Sequence, residues 1–299
     1  MKFATWLADG AETAGVLAQD GQSVHSFASA GLAYASLLDF IARHTEADLE
    51  LLRNAVQKPG VPLQGVRLLA PIPRPHHDII CVGLNYMDHA RESANFDIKE
   101  DPDREDAVYF SKRVHRALGP DGEIENHPGT QRLDYEAELG VVIGREGRGI
   151  PPQRAFQHVF GLCCFNDISG RELQKKHKQW FVGKSQDSYT AFGPYIVTLD
   201  EFELPLRLHI QSRVNGEMRQ DSNTENMIFS VQHVISELSQ GITLDAGSII
   251  ATGTPAGVGA GFTPHRCMQP GDVVEVEIEG CGVLRNVVAG GDASGRVQR

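Results

Sequence analysis

Leu133-Asp134-Tyr135-Glu136-Ala137-Glu138-Leu139 alternates strictly between apolar and acidic side chains. A period of two is that of a β-strand. Leu133, Tyr135, Ala137 and Leu139 are therefore expected on one face and Asp134, Glu136 and Glu138 on the other. Carboxylates two residues apart on a strand stand roughly 6.5–7 Å apart. At that spacing two of them can converge on one ion between them, and oxygen donors suit hard cations such as Mg²⁺, Mn²⁺ or Ca²⁺. The plainer reading is the solvated face of an amphipathic strand. Val274-Glu275-Val276-Glu277-Ile278-Glu279 repeats the alternation near the C-terminus, so the pattern alone does not choose a site. Asp167 helps to separate the two copies. It follows the apolar run Val159-Phe160-Gly161-Leu162-Cys163-Cys164 and then Phe165-Asn166. An acid at the end of a buried strand is costly unless paired or metal-bound. Its alternative use is as the N-cap of a helix starting near Gly170.

Outward from this strand, the chain reads as β-rich. Residues 2–27 are short strands separated by Asp9-Gly10 and Asp20-Gly21, which are strong turn signals. Tyr34, Leu37, Leu38 and Ile41 recur at helical spacing, and a second helix is expected near 46–56. Lys58-Pro59-Gly60-Val61-Pro62 breaks regular structure, and Ala70-Pro71-Ile72-Pro73-Arg74-Pro75 continues in extended form. A domain boundary is placed between about 57 and 72, giving a small α+β unit over 1–70, a main domain over 71–288 and a tail over 289–299. Asp78–Gly83 is expected to be a buried strand. The acidic run 97–106 reads as a solvated loop. Helices are expected around 170–180 and 227–239, without regular βαβ alternation.

The chain has 299 residues, enough for one large domain or a main domain plus a small one. A net charge of −11 argues against general nucleic-acid binding, which needs clustered Lys and Arg. The five cysteines include no C-x-x-C pair and sit in apolar settings, which reads as buried thiols in a reducing compartment rather than a structural zinc site. The opening apolar run is too short for a signal peptide, and no stretch reaches the ~18 apolar residues of a membrane span. A cytoplasmic location is expected.

Val82-Gly-Leu-Asn85-Tyr-Met-Asp-His89-Ala-Arg-Glu92, the acidic strand, Phe165-Asn-Asp167-Ile, Arg171-Glu-Leu-Gln174, Gly183-Lys184-Ser185 and Ile250-Ala-Thr-Gly253-Thr254-Pro-Ala-Gly257-Val-Gly259 occur in this order. Together they resemble the fumarylacetoacetate hydrolase family over residues 71–288. Gln174-Lys-Lys-His177-Lys-Gln-Trp180 is similar to the smaller bacterial acylpyruvase and oxaloacetate-decarboxylase-like members. The resemblance implies an α+β, β-rich fold with a rolled mixed β-sheet and a homodimer. It implies Glu136, Glu138 and Asp167 as ligands of Mg²⁺ (or Mn²⁺, with Ca²⁺ possible), and His89 and Glu92 as a catalytic pair on a segment that often orders as a lid. Arg171, Gln174 and Lys184 would line the site, with Lys184 also catalytic, and Thr254 would meet a substrate oxygen. The first 70 residues are the main departure, because many short members lack them.

The expected reaction is cleavage of a C–C bond in a small anionic 2-oxo acid, first of all hydrolysis of an acylpyruvate or fumarylpyruvate to release pyruvate. There His89, polarised by Glu92, activates water, and Lys184 meets the tetrahedral oxyanion. Decarboxylation of oxaloacetate or a related 2-oxo diacid is the alternative, with isomerisation of an unsaturated dioate as a variant. A non-catalytic metabolite-binding protein is a further alternative. Spacing alone leaves His89 and Glu92 readable as a surface pair. Gly183-Lys184-Ser185 is not a phosphate loop, since Gln179 stands where its first glycine is required. The Gly-rich run 253–261 is followed by Phe262-Thr263-Pro264 rather than an apolar helix, so it reads as a loop lying close to the pocket. His76, His77, His115, His127, His177 and His265 lack ligand spacing and are expected at the surface or in packing.

Overall fold

Asp9 and Gly10, both with positive φ, turn β1 (Lys2–Ala8) into β2 (Ala11–Leu17), and a second turn at Asp20-Gly21 leads to β3 (Ser23–Ser26). The computed structural model of the chain describes residues 1–96 and 105–290. Most of the expected acidic loop at 97–106 and of the tail at 289–299 lies outside the described residues. Two capped helices follow the hairpins. In α1 (Leu37–Arg43) the Ser36 side chain accepts from Asp39 N, and α2 (Glu46–Ala55) opens with a capping box between Thr45 and Asp48.

The short strands β4 (Val61–Pro62) and β5 (Arg67–Leu68) lead through the proline segment to β6 (Ile79–Gly83), α3 (Met87–Glu92), β7 (Val108–Lys112) and β8 (Glu123–Ile124). The acidic stretch forms two strands, β9 (Leu133–Asp134) and β10 (Ala137–Ile143), broken at Tyr135-Glu136. Then come β11 (Val159–Asp167), β12 (Ser169–Gly170), α4 (Arg171–Lys176), α5 (Phe181–Lys184) and β13 (Thr190–Thr198). The helix expected around 170–180 is thus α4, which ends at Lys176; Lys178 lies in the following turn at φ 61°, and the separate short helix α5 begins at Phe181. The chain ends in β14 (His209–Val214), β15 (Glu217–Asn223), α6 (Val231–Ser239), β16 (Ile249–Ala251), β17 (Val273–Ile278) and β18 (Gly282–Val288).

The main sheet runs β4-β3-β2-β1-β13-β11-β10-β16-β6-β7, with β5 beside β1, and a second sheet runs β15-β14-β17-β18-β8. Most neighbours are antiparallel, while β6–β16 and β8–β18 are parallel. This is an α+β, β-rich architecture of mixed sheets. Strand β10 is buried on both faces. Leu139, Val141 and Ile143 pack with Val274, Val276 and Ile278 between the sheets, while Val142 joins Phe3, Phe40, Phe160 and Phe165 on the far side. At about 25 cal/mol per Å² of apolar surface, these two layers are the main favourable term holding the central strands in place.

The sheet crosses the boundary drawn near residue 70, because Lys2 and Phe3 of β1 pair with Val197 and Ile196 of β13. The Phe3 and Phe160 rings also meet, at 5.1 Å between centroids. We keep 1–70 and 71–288 as a proposed division of the chain; hydrogen bonds and a shared apolar layer join the two parts. Among the described residues, no helix is long and apolar enough to cross a membrane.

Candidate active site

Strands β10 and β11 pair antiparallel, with Ala137 opposite Asn166 and Glu138 opposite Phe165. That register brings the ends of both strands together. Glu136, Glu138 and Asp167 are all buried, and each offers a carboxylate oxygen within 4.8 Å of the others. Asp134, the remaining acid of the alternating stretch, does a different job. It accepts from the backbone N–H groups of Gly259 (2.7 Å) and Ala260 (2.9 Å) and from Arg171 Nε (2.9 Å). It therefore anchors the Gly-rich loop. Asp167 is not a helix cap, since α4 has Gly170 at its N-cap and no side-chain capping bond.

Three cations answer these four acids. Lys184 Nζ donates to Glu136 Oε2 at 2.7 Å and Asp167 Oδ2 at 2.8 Å. It also lies 5.2 Å from the Phe110 ring centre, in cation–π range. Arg171 Nη1 pairs with Glu136 at 2.7 Å. Lys112, fully buried at the end of β7, holds Asp167 and donates to Ile168 O at 3.1 Å. The cluster keeps one carboxylate in excess of its lysines and arginine.

The acids respond unequally. Burial raises the Glu136 carboxyl, but Lys184 and Arg171 more than offset it and hold Glu136 below the usual range. Glu138 is pushed well up by burial and by its neighbours Asp167 and Glu136. It accepts a hydrogen bond from Gly253 N at 2.8 Å. Burial lowers Lys112, whereas the carboxylates around Lys184 outweigh its burial and raise it. An all-oxygen triad in which Glu138, among the described residues, has no lysine or arginine at ion-pair distance fits a hard divalent cation.

His89 sits on α3 and is buried. Its Nδ1 lies 2.8 Å from Glu92 Oε1, and both Glu92 oxygens accept from Gly257 N at 3.1 Å. This fixes the ring and turns its other nitrogen edge away from Glu92. Asn95 donates to Gly261 O at 2.9 Å, which docks the same segment on the Gly-rich loop. Asn85 ties the start of α3 to Thr252 O (2.7 Å) and to both backbone groups of Phe229. Glycine is required at 253, where φ is 93° and a Cβ would stand 2.6 Å from that of Asn85.

A narrow cavity brings these groups together. Of the nine residues singled out in the sequence, His89, Glu136, Glu138, Arg171, Gln174, Lys184 and Thr254 line it. Glu92 stands behind His89, and Asp167 lies beneath the floor. Gly183 allows the close approach of α5 to α4, because a Cβ there would meet Gln174 N at 2.5 Å.

Sequence reasoning missed two buried supports. Lys112 has no acid near it in sequence, and its partner is 55 residues away. Gln220, on β15, donates to Thr254 Oγ1 (2.6 Å) and Pro255 O (2.7 Å) and accepts from Ala137 N (3.0 Å). A lysine ending a strand without a local partner was the available signal for the first, and no sequence signal marked the second.

Such a fold and site define an enzyme with a buried carboxylate triad beside a His–Glu pair. The chain belongs to the fumarylacetoacetate hydrolase family: the model of the fumarylacetoacetate (FAA) hydrolase C-terminal region matches residues 78–289. It is 46% identical over 228 residues to the oxaloacetate tautomerase YisK of Bacillus subtilis, covering 76% of this chain and 74% of that one. A fumarylacetoacetate hydrolase from Exiguobacterium antarcticum superposes with a TM-score of 0.80 at 39% identity, over 97% of this chain and 100% of that one. A probable 2-hydroxyhepta-2,4-diene-1,7-dioate isomerase from Mycobacterium abscessus gives 0.79 at 31% identity, over 97% and 98%. These structural matches take in the N-terminal segment as well.

Proposed function

We propose that this enzyme interconverts the keto and enol forms of oxaloacetate or a closely similar 2-oxo diacid, and that it depends on Mg²⁺ or Mn²⁺ held by Glu136, Glu138 and Asp167. The observation that carries the reading is the buried carboxylate triad, two of whose members, Glu136 and Glu138, line one cavity with His89. The similarity to an oxaloacetate tautomerase supports the same substrate class.

When bound, the cation supplies Lewis acidity toward the 2-oxo oxygen. The protein's own groups do the rest. Arg171 and Gln174 orient the substrate carboxylate. His89, held by Glu92, moves a proton to or from carbon 3. Negative charge that develops on the 2-oxo oxygen is met by the Lys184 ammonium in a site with little water. Thr254, positioned by Gln220, donates to a substrate oxygen. Decarboxylation of the same diacid would break the bond from carbon 3 to the distal carboxylate, release CO₂ and leave the enolate of pyruvate, which places the same negative charge on the 2-oxo oxygen; it is a companion reaction. We assign the enzyme to the cytoplasm, as a homodimer.

Hydrolysis of an acylpyruvate is the second reading. The Exiguobacterium neighbour titled as a fumarylacetoacetate hydrolase favours it, as does Lys184 beside the His–Glu pair. Purified protein with Mn²⁺ is to be mixed with freshly dissolved enol-oxaloacetate, following enol absorbance, and separately with acetylpyruvate, following pyruvate. Rapid enol decay without acetylpyruvate cleavage is expected. Cleavage faster than enol decay would move the assignment to the second reading.

A further inference from the structure

His76 and His77 are expected from the sequence at the surface or in packing, since they lack ligand spacing. The fold supplies the missing member. Asp245 stands 168 residues further along, and its Oδ2 lies 2.7 Å from His77 Nε2. The two imidazole rings are 4.1 Å apart between centroids. One ligand atom from each of the three residues falls within 4.8 Å of the others. We propose that His76, His77 and Asp245 form a second metal site, for a borderline divalent cation of the Zn²⁺ type, that ties the segment entering β6 to the loop entering β16.

The donor set argues for this class of ion. Two imidazoles and one carboxylate suit Zn²⁺, Co²⁺, Ni²⁺ or Cu²⁺, whereas Mg²⁺ prefers oxygen and keeps its waters. Three protein ligands with an open fourth position for water is a common zinc arrangement. The two histidines are exposed, so water and metal reach them.

Both sides of the site are held in place. Asp245 lies in a turn closed by Ser248 N to Asp245 O at 3.0 Å, and Gly247 N bonds Ile143 O at 2.7 Å. Gly247 has φ 91° and lies against His76, whose Cε1 would be 3.2 Å from a Cβ placed there. On the other side, Pro73 and Pro75 restrict the backbone just before the histidines.

The location is separate from the carboxylate triad. β6 and β16 are parallel neighbours, with Ile80 opposite Ile250. His76, His77 and Asp245 precede these strands, while of the residues lining the active cavity Gly83 ends β6 and Thr254 follows β16. The two sites are thus at opposite ends of one strand pair, roughly 20 Å apart along β6. A cation here would pin the ends of the two strands whose far ends frame the cavity.

The test is a Zn²⁺ titration by calorimetry in excess Mg²⁺, on the Glu138→Gln chain, which disables the triad. This makes the result independent of the proposed reaction. One Zn²⁺ per chain is expected, with affinity reduced by about 10–100-fold or more in His77→Ala and in Asp245→Asn on the same background. Co²⁺ should give a visible absorption band that the same two changes remove. Metal-free thermal melts of each variant verify folding, and Asp245→Asn keeps a hydrogen-bonding side chain for that reason. No Zn²⁺ uptake by folded Glu138→Gln protein, or uptake unchanged by His77→Ala and Asp245→Asn, would overturn the proposal.

Discussion

Two strands of this protein carry the same alternation of acid and apolar residues and have opposite fates. In β17, Val274, Val276 and Ile278 enter the core between the sheets, while Glu275 and Glu277 stay at the outer face. The Glu277 side chain is 43% exposed and pairs with Arg213 at 2.7 Å. In the stretch around β10 the outer face has a second layer over it. Glu138 is 1% exposed and Asp167 is fully buried. A carboxylate facing water costs nothing extra, whereas a buried one must be matched by a cation, a proton or backbone donors. Each of those answers is present around β10: Lys184, Lys112 and Arg171 as cations, a raised pKa at Glu138, and the Gly253 N–H. What separates a site from a solvated strand is the second layer, not the pattern.

The sharpest way to break this contrast is to remove an acid from each strand. Glu138→Ala or Asp167→Ala should abolish divalent-metal binding and lower kcat/KM by at least ~10³-fold, the loss of several kcal/mol of transition-state stabilisation. Glu277→Ala should leave activity within about twofold. Equal damage from both would refute the choice of strand. His89→Ala tests the site from the other wall. Proton transfer should fall by ~10²–10⁴-fold with metal affinity intact, which calorimetry and steady-state kinetics together would read.

Stability gives a smaller separation. Lys112→Met leaves Asp167 short of one buried partner and should cost ~3 kcal/mol in urea unfolding of the metal-free protein. Arg213→Met, which removes the exposed partner of Glu277, should cost no more than ~1 kcal/mol. Comparable losses would mean that burial does not separate the two pairs.

The pH dependence of metal binding sharpens the same point. The Glu138 carboxyl is raised, so below its raised value the cation-free site holds a proton that must leave when metal binds. Mg²⁺ affinity should therefore climb with pH below the raised value, by up to about tenfold per unit, with proton uptake by the buffer on titration. Affinity independent of pH from 6 to 8 would exclude that proton.

Much of the local structure was legible before folding was considered. The Asp-Gly turns, the helices after Ser36 and Thr45 and the strand at 79–83 all follow from short-range rules. The ordered motifs pointed to the family and to seven residues that line one cavity. Lys112 and Gln220 escaped because their partners are fixed by strand register, not by sequence spacing. The helix expected around 170–180 stops at Lys176, and the short α5 after it folds back on α4 where Gly183 permits contact.

The sequence by itself determined the period of each strand, the placing of turns and caps, and which carboxylates would share a face. Those depend on backbone geometry over a few residues, which neighbours in the chain set. Only the tertiary structure decided that Glu136 and Glu138 meet Asp167 and Lys112 in the interior while Glu275 and Glu277 meet water, and that Asp245 arrives beside His76 and His77. Those outcomes depend on which distant strand pairs with which and on what covers the second face. Packing of the whole chain settles both, because the cost of burying a charge exists only once the second layer is in place.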